Sequence, residues 1–153
     1  MKSRSAFTPA DFLPESANAD LLDKLRRPPM GSEFSGVAMT LVLSIRLMAS
    51  CAAARHDPLV ELTRRLESIS AAKAVMDLAQ TCAQAWPESV MVSRPCCHAL
   101  TPDEAVLAQM MEAAREGDRE GFAAVLDGLV RRERHERLYR VTQEAAAAIS
   151  IAP

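Results

Sequence analysis

Glycine and aromatic residues are scarce in this chain: five glycines, four phenylalanines, one tryptophan (Trp86) and one tyrosine (Tyr139) in 153 residues. Strands favour aromatic and β-branched side chains, whereas helices favour alanine and leucine, which dominate here; the composition leans to helix. A charge of one sign is also missing. The net charge is −2, residues 1–34 balance to zero, and only a modest acidic excess follows residue 101, so nothing electrostatic calls for a nucleic-acid partner. Four cysteines are too few for a disulfide scaffold in a chain that buries roughly 70% of its unfolded surface. Lys2 and Arg4 stand at the N-terminus, but Asp11, Pro14 and Glu15 interrupt any apolar run, so no export signal is expected and a cytoplasmic setting with free thiols is the default.

Catalytic signatures are missing too. There is no glycine-rich phosphate loop, no His-Glu-x-x-His, no Gly-x-Ser-x-Gly and no Glu-x-x-His pair. Neither a cofactor nor an enzymatic activity is expected.

What is present is helical periodicity. Residues 1–34, with Pro9, Pro14, Pro28 and Pro29, read as a flexible arm holding one short helical stretch near Asp20–Arg27. Residues 35–150 read as a single all-α bundle of about five helices. The first runs from about Ser35 to Arg55 and is apolar on most faces (Val37, Leu41, Val42, Leu43, Ile45, Leu47, Met48), so most of its circumference should be packed. Its length also approaches that of a membrane span. Arg46 at its middle would cost about 2.5–3.5 kcal/mol at a bilayer centre, and a central buried helix is the better reading, with no membrane partner.

Asp57-Pro58 opens a second helix, striped by Leu59, Leu62, Leu66, Ile69 and Met76 and ended near Trp86 by Pro87. Residues 87–100 form the longest internal connection; Ser89–Ser93 looks strand-like, but a single strand has nothing to pair with, so it reads as an extended crossover. Thr101-Pro102-Asp103-Glu104 supplies a hydroxyl cap, a first-turn proline and a capping-box glutamate for the third helix, which Gly117 ends. Asp118 caps the fourth, with Phe122, Val125, Leu126, Leu129 and Val130 on its stripe. The stripe Leu138, Val141, Ala145 and Ile149 points elsewhere, placing a break within residues 131–136 before a fifth helix.

Two segments hold candidate chemistry. Cys96, Cys97 and His98 follow Pro95 just ahead of a helix N-terminus and are the candidate metal ligands, since thiolates and imidazole suit zinc or copper. Side chains of neighbouring residues on an extended backbone point apart, so joint coordination needs a turn, and Cys82 or Cys51 would have to arrive from other helices to complete a site. The same residues can equally be a redox-active thiol pair or inert small hydrophobes. The second segment, Arg131-Arg132-Glu133-Arg134-His135-Glu136-Arg137 with Arg140, has arginines that could meet phosphates, but its glutamates and the acidic neighbours Glu120 and Asp127 make it a solvated helix junction.

Three segments carry a family resemblance: Leu43-Ser44-Ile45-Arg46-Leu47-Met48, Pro95-Cys96-Cys97 leading into Thr101-Pro102-Asp103-Glu104, and Asp127-Gly128-Leu129-Val130-Arg131-Arg132 with its alanine-rich tail. Over about residues 35–150 the chain resembles a bacterial family of small all-helical proteins of unknown function that carry a Pro-Cys-Cys segment. The resemblance implies an all-helical fold and a bacterial cytoplasmic setting, and no activity. The functional expectation is a non-enzymatic helical interaction or regulatory module, a homodimer or a bundle that takes a protein partner. The rival is a thiol-based metal-binding or redox-sensing protein using the Cys96-Cys97-His98 loop.

Overall fold

The computed structural model describes residues 22–23 and 26–152. The expected arm falls largely outside them. Within its short helical stretch, Leu22, Asp23 and Arg26 are helical, and the Arg27 N–H donates to the Asp23 carbonyl at 2.9 Å. Six helices and no strand make up the described residues: α1 (Gly36–Ala53), α2 (Pro58–Leu66), α3 (Ile69–Ala85), α4 (Pro102–Glu116), α5 (Arg119–Leu126) and α6 (His135–Ile151). The all-α class is as expected from the composition.

The sixth helix arises because the expected second helix is two. Glu67 adopts a left-handed backbone (φ 51°) at the end of α2, and Ser68 restarts the chain as the N-cap of α3, its hydroxyl accepting from the Ala71 N–H at 3.1 Å. The cap satisfies an N–H that would otherwise lack a partner, which offsets the cost of the left-handed residue. The break also rotates the helix. Ile69 lies seven residues after Leu62 and would share its face in one continuous helix, yet Leu62 is fully buried and Ile69 is 55% exposed. The face that α3 buries is instead made of Ala71, Ala72, Val75, Leu78, Cys82 and Ala85.

The other boundaries follow their caps. Asp57 caps α2 with Pro58 in the first turn, Thr101 and Glu104 form a complete capping box on α4, and Asp118 caps α5. Gly117 takes φ 73° at the end of α4, a conformation that favours glycine. The break before α6 spans residues 127–134, including a short 3-10 turn at Arg132–Arg134.

Two helices share the centre. α6 packs against α3 and α4, and α1 packs against α4, α2, α6 and α3. The core between them holds Leu41, Val42, Leu78, Leu107, Met111 and Leu138, closed on one side by Phe122, whose ring meets Tyr139 edge-on at 5.0 Å. α1 is long and apolar enough to cross a membrane by length and composition alone. It is less enclosed than its sequence suggests: Ala38, Leu41, Val42, Ser44, Arg46 and Cys51 are buried, whereas Leu43 is 41% exposed and Ile45, Leu47 and Met48 are only partly covered. The reason is that α3 touches α1 along a short stretch, leaving the flank between them open.

Upstream of residue 35 the chain already belongs to the folded body. The Leu100 N–H donates to the Pro29 carbonyl at 2.8 Å and the Gly31 N–H to the His98 carbonyl at 3.0 Å, so Met30 and Ala99 form an isolated antiparallel bridge. Residues 29–31 thus lie as a strap along the end of the 87–100 connection.

Candidate functional site

The 87–100 connection has no regular structure of its own, so its polar groups must be satisfied from outside it. The N-terminal turn of α4 does much of this. Thr101 Oγ1 donates to the Met91 carbonyl at 2.7 Å, and Asp103 accepts from the Met91 N–H at 2.7 Å and from the Trp86 indole at 3.3 Å. Glu104 accepts from the Ser93 and Thr101 N–H groups, both at 2.9 Å.

Arg46 of α1 braces the connection from the other side. Its Nε and Nη2 meet the two carboxylate oxygens of Glu104 at 2.6 and 2.8 Å, a bidentate pair with both side chains 1% exposed. The remaining N–H groups donate to three carbonyls of the connection: Cys97 at 2.6 Å, Ala99 at 3.1 Å and Arg94 at 3.3 Å. A guanidinium has five N–H donors, and all five are used. Burial alone would push the Glu104 carboxyl up, but the guanidinium and the two backbone N–H groups outweigh it and hold the carboxyl below its ordinary range. The same contact with Glu104 raises Arg46 against the opposing effect of burial, with smaller contributions from the nearby thiols of Cys97 and Cys96.

This brace shapes the cysteine segment. The Cys97 N–H donates to the Arg94 carbonyl at 3.0 Å, closing a turn with Pro95 and Cys96 at its centre. The turn that joint use of the two thiols requires is therefore present. Cys96 and Cys97 are free and exposed, and His98 is exposed beside them. Cys51 and Cys82 lie apart from them in the core, and burial pushes the Cys82 thiol up to about 12. Among the described residues no three His, Cys, Asp or Glu side chains converge as they would around a metal ion, so Cys96, Cys97 and His98 do not form a ready three-ligand site by themselves.

The basic junction is built differently. Arg131, Arg132, Arg134 and Arg137 are exposed, Arg132 faces Asp127 at 3.9 Å, and Arg119 pairs with Glu136 at 2.6 Å across the surface. Of its side chains, Arg132 and Glu136 thus stand in exposed surface pairs.

Arg46 and Glu104 are the functional residues that periodicity alone does not reveal. The signal for them is an arginine alone in the middle of an apolar helix: such a group needs a buried carboxylate, and a capping-box glutamate at the start of another helix is a fixed one.

No protein-family model matches the chain, and comparison with curated proteins and with solved structures gives no match. The family resemblance rests on the quoted segments alone.

Proposed function

We propose that this protein is a thiol-based metal-binding or redox-sensing module whose working part is the Cys96-Cys97-His98 loop. The observation that carries the reading is the pairing of two adjacent, exposed, free thiols with a fully buried ion pair that fixes the backbone around them. Taking two charges out of water costs several kcal/mol per ion before their attraction offsets it, so the pair is an expensive way to hold a loop unless the loop's conformation matters. Of the five Arg46 hydrogen bonds, one goes to the Cys97 carbonyl and two to the Arg94 and Ala99 carbonyls on either side of the loop. Adjacent thiols held in a turn suit a soft metal ion or reversible oxidation by a small disulfide. A reducing cytoplasm, as the bacterial resemblance implies, would keep them as thiols.

Counting reactive thiols in the folded protein tests this. Cys96 and Cys97 are expected to react with a neutral alkylating reagent within minutes, while Cys51 and Cys82 stay unmodified until denaturant is added. Prior incubation with a thiophilic metal ion or a small disulfide should protect the fast pair. Fast thiols that neither treatment protects would refute the reading.

A second reading, a non-enzymatic interaction module, draws support from an apolar groove of about 600 Å3 between α1 and α3, lined by Ile45, Met48, Ala79, Ala83, Trp86 and Val90. It would take a protein partner or a second copy of the chain. Sedimentation velocity across a wide concentration range tests the homodimer, and a single monomeric species throughout would remove it.

A further inference from the structure

The cysteine turn is one wall of a second cleft, of about 460 Å3, whose remaining walls come from elsewhere in the chain. Met30 reaches it from the 29–31 strap, and Met39 reaches it from α1. Met39, Leu43 and Arg46 stand at i, i+4 and i+7, so one face of α1 both walls the cleft and braces its floor. Gly31 leaves room for the Met39 thioether: a side chain there would have its Cβ 2.8 Å from the Met39 methyl and 3.3 Å from its sulfur. Both methionines are half-buried at the cleft, Met39 where it also packs against the edge of the core. One cleft therefore gathers two thiols, two thioethers and the His98 imidazole.

From this donor set we infer that the cleft binds a soft monovalent metal ion, Cu(I), through the Cys96 and Cys97 thiolates with the Met39 thioether as a third ligand. The inference rests on the thiol reading above and goes beyond it by naming the ion and a ligand outside the loop. Thiolate and thioether sulfur select Cu(I), whereas structural zinc takes four ligands from Cys, His and carboxylates and almost never methionine. Among the described residues no three His, Cys, Asp or Glu side chains come together as a zinc site needs, His98 included, yet the cleft holds thioethers that zinc does not use. Binding balances simply: each thiol releases its proton to solvent, each sulfur donates a lone pair to the ion, and the copper remains Cu(I). Met30 and His98 flank the site. The turn closed by the Cys97 N–H and the Arg94 carbonyl fixes the backbone that carries both thiols, which lowers the cost of ordering the loop around an ion.

Anaerobic titration of the full chain with Cu(I) against a chromophoric competitor, in parallel with Zn(II), tests the inference. One Cu(I) per chain is expected, with Cu–S scattering dominating its X-ray absorption spectrum. Met39→Leu, which keeps the size and removes the sulfur, should weaken Cu(I) at least about tenfold, the scale on which metal sites respond to such losses. Zn(II) binding should be unaffected by it. The double variant C96S/C97S should abolish Cu(I) binding, with circular dichroism confirming that the bundle is intact. Equal Cu(I) affinity in wild type and Met39→Leu, a copper spectrum dominated by nitrogen or oxygen, or tighter binding of Zn(II) than of Cu(I) would each overturn it. Those results leave the thiol reading standing if metal or disulfide still protects Cys96 and Cys97 from alkylation; loss of that protection takes the thiol reading with it.

Discussion

The two longest connections of this bundle, residues 87–100 and 127–134, each carry a cluster of residue types that can do chemistry. Their supports are opposite in kind. The first is pinned by Arg46 and Glu104, each 1% exposed, together with Thr101 and Asp103 at the start of α4. The second is held at its edges: Arg134 donates to the Gln84 carbonyl, His135 Nε2 lies 2.9 Å from the Val130 carbonyl, and the ion pairs around it are solvent-exposed. A buried polar brace is costly and a surface contact is cheap, so the difference marks which connection must keep one shape.

The comparison breaks most sharply at Arg46. Replacing it by methionine keeps an unbranched apolar stem but leaves Glu104 buried without its guanidinium and three carbonyls without donors. Removing one partner of a buried pair typically costs about 3–5 kcal/mol. Arg46→Met should lose stability on that scale in denaturant titration and lose hydrogen-exchange protection at Thr101, whose N–H is bonded to Glu104. If a well-folded Arg46→Met protein shows wild-type stability, the brace is not what holds the loop.

Acid should act through the same pair. The Glu104 carboxyl is held below its ordinary range in the folded chain, so the unfolded chain takes up a proton there first as pH falls. The stability it contributes is therefore complete above the unfolded value of about 4.3 and is lost as pH drops through the lower folded value. Thermal midpoints should fall between pH 5 and pH 3, and Glu104→Gln, less stable throughout, should show a shallower acid slope. An unchanged slope in Glu104→Gln would assign the acid sensitivity to other carboxylates, such as Glu112, whose carboxyl is also held low: burial pushes it up, but the Ser35 N–H, at 2.6 Å, and Arg115 prevail.

An intermediate effect belongs to the break between α2 and α3. Ser68→Ala removes one N-cap hydrogen bond, and such losses cost about 0.5–2 kcal/mol. A change within experimental error would mean that Glu67 turns the chain without help from the cap. The residues around this break show why the sequence is a partial guide. Caps with proline or a capping box, at Asp57 and Thr101, announce helix starts in their own chemistry. Ser68 has neither, and Leu62, Leu66 and Ile69 keep a continuous helical spacing across it, so the stripe hides the break. The α3 face was hidden for a related reason: alanines bury fully without standing out from an alanine-rich background, and Ala71, Ala72 and Ala85 are core residues while Ile69 is not. For the site, Cys96, Cys97 and His98 are legible from adjacency alone. The pairing of Arg46 with Glu104 spans 58 residues, and the approach of Met30 and Met39 depends on how the strap and α1 cross; neither leaves a mark in local spacing.

The smallest expected effect lies at the second connection. Arg132 and Asp127 sit 3.9 Å apart with their side chains 87% and 69% exposed, in water that screens them and with long side chains that lose entropy on pairing. Such pairs contribute about 0–1 kcal/mol. Arg132→Ala should therefore move the denaturation midpoint barely, and raising the salt concentration should erase what difference there is. Arg134→Ala removes a charged donor from the Gln84 carbonyl, but water can take the place of an exposed partner, so its effect should also stay small. If either substitution approached the loss expected of Arg46→Met, exposure would be the wrong criterion for telling the two connections apart, and the junction before α6 would have to be counted as a second braced element.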